Sequence, residues 1–133
     1  MSQENLDVVR QVFEAHDRRD WDAVYSFYAP DVVWEDVDGL WGDWGTARGA
    51  EGVKAAWRRW LGVLERPSFT AEDFLDAGDE VLVRLRMSGR GRESRVHVEQ
   101  VIAMVWTVRG GRVAHVRVYR DRADALAAVG LSE

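Results

Sequence analysis

VEQVIAMVWTVRGGRVAHVRVY, Val98 to Tyr119, holds two runs of β-branched and aromatic residues separated by the pair Gly110-Gly111. That pattern reads as a β-hairpin, because a tight turn needs positive φ angles that glycine adopts freely. Working back toward the N-terminus, Gly89-Arg90-Gly91 and Asp76-Ala77-Gly78-Asp79 are turn signals of the same kind. They set off four strands, Phe69–Leu75, Glu80–Met87, Arg95–Val108 and Arg112–Tyr119, in an antiparallel meander. Past Tyr119, Asp121 is placed to cap a short helix over Ala123–Val129, which Gly130 ends.

Before Pro67 the apolar period changes from two to 3.6. Val53, Ala56, Trp57, Trp60, Leu61 and Leu64 form one helical stripe, and Leu6, Val9, Phe13 and His16 form another. Asp20 opens a shorter helix carrying Trp21, Val24, Tyr25 and Tyr28, and Ala29-Pro30 closes it. Between these helices, VVWEDV (Val32–Val37) reads as a strand, followed by a long loop from Gly39 to Gly52 with five glycines. The expected order is α-α-β-α-β-β-β-β-α. Helices gathered in the first half and a meander in the second make an α+β fold. A chain of 133 residues without a linker or internal repeat is expected to be one domain, 1–133.

Composition narrows the partners. The chain has 18 basic and 23 acidic residues, net −5, which disfavours a nucleic-acid backbone. The arginine-rich hairpin Arg84, Arg86, Arg90, Arg92 and Arg95 is interleaved with Glu80, Glu93 and Glu99 and has no aromatic residue for base stacking. It therefore reads as a solvated surface. No apolar run spans a bilayer and no signal-peptide core is present, so no membrane partner is expected. With no cysteine, disulfides and thiol chemistry are excluded, and a cytoplasmic location is expected. His16, His97 and His115 show no paired spacing, so neither a metal nor a cofactor is expected.

Three strings, APDVVWEDVDG (Ala29–Gly39), GAEGVKAAWRRWL (Gly49–Leu61) and VEQVIAMVWTVRGGRVAHVRVYRDRADAL (Val98–Leu126), resemble the SnoaL-like branch of the nuclear-transport-factor-2-like superfamily. The resemblance covers nearly the whole chain. It implies a curved sheet wrapped around helices into a cone, with an apolar pocket at one end. Such relatives include polyketide cyclases, ketosteroid isomerases and limonene epoxide hydrolases, along with proteins that catalyse nothing. By the same resemblance Asp36 stands where the isomerases keep their proton-abstracting aspartate. Their oxyanion-hole tyrosine and protonated aspartate fall at Val12 and Ala103, and the cyclase and epoxide-hydrolase aspartate falls at Val118. None of these three side chains donates a hydrogen bond.

If Ala103 faces the pocket, strand alternation turns His97 and Glu99 inward too, as a relay for Asp36. The alternative is that both are exposed and pair with arginines. His16, on an apolar helical stripe, reads as a core histidine. Trp34, Trp57 and Trp60 are expected to wall the pocket or to pack the core. Trp41 and Trp44, among loop glycines, are expected to form a lid or to plug the interior. The fourth strand is apolar on both faces. The expectation is a homodimer that covers an outer face of Ile102, Met104 and Trp106. Three functions stay open: a cofactor-free isomerase, cyclase or hydrolase-like enzyme centred on Asp36; a protein that binds a small, largely apolar metabolite; and a dimeric interaction domain.

Overall fold

The computed structural model describes residues 2–40 and 46–131. Helices α1 (Ser2–Asp17) and α2 (Trp21–Ser26) lead into strand β1 (Tyr28–Asp36) and a three-residue strand β2 (Thr46–Arg48). Helix α3 (Gly49–Leu61) follows, then strands β3 (Leu64–Ala77), β4 (Glu80–Gly91), β5 (His97–Arg109) and β6 (Arg112–Tyr119), and helix α4 (Arg122–Ala128). The six strands form one sheet in the order β2-β1-β6-β5-β4-β3. All neighbours are antiparallel except β1 and β6, which run parallel. Among the described residues no helix is long and apolar enough to cross a membrane.

The α+β class and the meander stand as the sequence implies, with β2 as an addition inside the glycine-rich stretch. Gly110 and Gly111 take φ angles of 57° and 77°, the turn the glycine pair implied. Asp20 caps α2, its Oδ1 accepting from the Ala23 N–H at 3.2 Å. Two prolines lie inside strands rather than beyond them. Pro30 sits in β1, where the register against β6 shifts between Tyr28 and Val33. Pro67 sits in the edge strand β3, where the register against β4 shifts between Glu65 and Ser68. Edges and bulges are where a sheet tolerates a residue with no N–H.

The face assignment on β5 is reversed from the expectation. Ile102, Met104 and Trp106 belong to the inner core with Val9, Val12 and Phe13 of α1 and Val53 and Trp57 of α3. Trp106 lies edge-on to Phe13 at 5.3 Å and to Trp34 at 5.8 Å, and is 2% exposed. Ala103 and Val105 are the outward pair, packed with Leu82 and Tyr119 beneath Ala125 and Leu126 of α4. A strand apolar on both faces carries no phase in its alternation. Here side-chain size carries it, with bulky residues filling the cone and small ones lying under the last helix. The second cover is therefore the chain's own α4, and Ile102, Met104 and Trp106 offer no surface to a second copy. Elsewhere the outer face carries ion pairs: Arg117 with Glu80, His115 with Glu35 at 3.1 Å, and Arg86 with Glu72 at 3.1 Å.

Candidate functional site

Where α3 ends and the tips of β4 and β5 meet, the sheet leaves a cleft of about 320 Å³. Leu40, Trp60, Val63, Leu64, Met87 and Val98 give it apolar walls, Gln100 brings a polar amide, and Ser88, Gly89 and Glu99 complete its edge. Met87, Val98 and Gln100 share the inward phase of β4 and β5 with Leu85, Ile102 and Met104. Trp60 stands on the apolar stripe of α3, one turn from Trp57 (5.5 Å, edge-on) and 5.7 Å from Phe69. Val63 and Val98 remain 57% and 47% exposed, so apolar surface is left open at the mouth. A concave, mostly apolar wall with a few polar groups at its edge suits a small, largely apolar molecule.

Asp36 is on the inner face, 6% exposed, beside Val118 in the parallel register. Its Oδ1 accepts the Leu40 N–H at 2.9 Å. It does not itself line the cleft; it holds the backbone of a residue that does. A buried carboxylate demands donors, and this turn supplies one.

The structure does not bring His97 and Glu99 to Asp36. Both follow the outward phase of β5 and are exposed. Glu99 pairs with Arg86 at 2.5 Å at the edge of the cleft it helps to line, and His97, outside that cleft, lies 3.9 Å from Glu99. The relay is thus separated from its base by the sheet itself, and the arginine pairing is what forms. Ala103 also faces outward, so the inward neighbours that could replace a missing donor are Ile102 and Met104, and neither carries one. Val12 is buried in the core at 1% exposure.

Of the five tryptophans considered for the ligand wall, Trp60 lines the cleft. Trp34 and Trp57, 1% and 5% exposed, pack edge-on at 5.4 Å inside the core. Trp41 and Trp44 lie outside the described residues. His16 is a core histidine ringed by Trp21 (4.8 Å), Phe69 (4.9 Å) and Trp57 (5.7 Å). Burial, with the Arg19 charge adding to it, lowers its pKa from 6.5 to about 4, so the ring is neutral at physiological pH. Among the described residues no group of three His, Asp or Glu side chains is arranged to hold a metal ion.

Sequence reasoning missed Leu40, Met87, Val98 and Gln100. The available signal was Gln100, the one polar side chain on the inward phase of β5 between Val98 and Trp106, readable once the phase of β5 is known.

Comparison with known proteins agrees with this architecture. A SnoaL-like domain model matches residues 9–116. An NTF2-like protein of unknown function from Burkholderia pseudomallei is 25% identical, with a TM-score of 0.78 over 96% of this chain and 98% of that one. An NTF2-like protein from Burkholderia thailandensis is 28% identical, with a TM-score of 0.80 over 88% and 90%. A polyketide cyclase candidate from Sinorhizobium meliloti is 26% identical, with a TM-score of 0.68 over 89% and 98%. A search of curated proteins finds no match. The fold, the cleft at the mouth of the curved sheet and the domain match lead to one assignment: this chain belongs to the SnoaL-like family.

Proposed function

We propose that the chain binds a small, largely apolar molecule in the cleft between Trp60 and Gln100. The observation that carries this reading is the cleft itself, about 320 Å³ walled by Leu40, Trp60, Val63, Met87 and Val98. Leu40 is fixed by Asp36, which makes the acid a positioning residue of the wall. The test is calorimetric titration with 1-naphthol. Trp60→Ala should weaken binding roughly tenfold, the loss of about one aromatic contact. Equal affinity in the variant would remove the site from this cleft.

One observation favours a second reading, acid–base chemistry at Asp36: it is an acid buried on the inner face directly behind a cleft residue. A proton-abstracting carboxylate would exchange the α-protons of an apolar ketone. Exchange of 2-tetralone protons into heavy water, followed by NMR and lost in Asp36→Asn, would support it. Exchange at the same rate with and without the protein would retire it. Val12, Ile102, Met104 and Val118 offer no oxyanion donor, and this makes binding without turnover the favoured reading.

A further inference from the structure

We propose that the molecule taken by this cleft is an anionic amphiphile, an apolar body with one acidic head group, and that arginines around the cleft select the charge. The inference rests on the binding reading above. The chain is acidic overall, at net −5. Yet segments 58–66 and 84–99, which supply most of the cleft, carry eight arginines against three glutamates. Two of those glutamates are engaged, Glu65 with Arg95 at 2.8 Å and Glu99 with Arg86 at 2.5 Å. Arg59, Arg66, Arg90 and Arg92 make no ion pair among the described residues.

Backbone geometry ties the segment that carries these charges to the cleft. The Arg92 N–H donates to the carbonyl of Val63, a cleft residue, at 3.0 Å, which fixes the hairpin tip against the wall. A second depression of about 390 Å³ shares Ser88 and Gly89 with the cleft and is lined by Arg66, Arg90 and His97, with Glu65 held in its pair with Arg95. Arg66 adopts φ +50°, a left-handed conformation that glycine would take without strain. Arg19 and Arg95 share this conformation and use their side chains, on the Pro67 carbonyl and on Glu65, whereas the Arg66 guanidinium is left to the rim. Uncompensated charge of one sign around an apolar opening draws in the opposite charge and orients it at the rim.

The test titrates the full chain with decanol, decanoate and decyl phosphate. The anions should bind roughly five- to tenfold tighter than decanol, as two exposed charge contacts would give. High salt should erase the advantage. The tighter anion identifies the head group. Arg90→Gln/Arg92→Gln and, separately, Arg66→Gly should each reduce anion binding and leave decanol unchanged. Arg66→Gly should also keep or raise the melting temperature, which a merely structural arginine would not do. Arg109→Gln, on the far turn, should change nothing. Anions binding no tighter than decanol, or a preference that survives both variants, would overturn the charge selection and leave the apolar site standing. If none of the three binds, the binding reading fails with it.

Discussion

At His16 the physics of a single side chain sets a pH limit on the whole fold. The folded pKa is about 4 against 6.5 in the unfolded chain, so the unfolded state binds the extra proton first as pH falls. The stability in question is fully present above pH 6.5 and is lost progressively down to about pH 4. A shift of this size is worth on the order of 3 kcal/mol. Urea unfolding at about pH 7 and about pH 4.5 should show the wild type losing more stability than His16→Phe, whose ring does not titrate. Equal losses would place the histidine in water. Asp36 makes a different residue-scale prediction. Asp36→Asn keeps an oxygen for the Leu40 N–H and should fold and bind 1-naphthol nearly as the wild type does. Asp36→Ala strands that buried donor and should cost about 1–3 kcal/mol while loosening the cleft wall.

At the scale of elements, most of the fold was legible because turns and periodicities are local. The glycine pair after β5, the Asp20 cap and the stripe on α3 each announce their element in a few residues. The phase of β5 was not legible, because a strand covered on both sides has no polar face to betray its orientation. The expectation that Ala103 faces inward therefore puts Ile102, Met104 and Trp106 outside and His97 and Glu99 inside, the reverse of the structure. The site failed where the phase failed: one residue of error moves every side chain to the other face. The corrected phase has measurable consequences. Trp106→Ala should cost about 3–5 kcal/mol, as an emptied core position does, and Leu126→Ala about 2–5 kcal/mol by uncovering Ala103 and Val105. Thermal unfolding of the two variants reads both. A loss below about 1 kcal/mol for Trp106→Ala would return that ring to the surface.

Taken whole, the molecule fills the depth of its cone with its own aromatic rings and keeps an apolar cleft at the rim. Trp34, Trp57 and Trp106 occupy the depth, and the free apolar wall begins at Trp60. The tryptophans thus divide into those that pack and one, among the described residues, that meets the cleft. Each indole N–H gives its own signal in a proton–nitrogen NMR spectrum, so the rings report their positions separately. Addition of 1-naphthol should move the Trp60 indole signal and leave that of Trp106, deep behind Phe13 and Trp34, in place. A Trp106 signal that moves as far as that of Trp60, or a Trp60 signal that does not move at all, would contradict a binding site at the mouth of the cone.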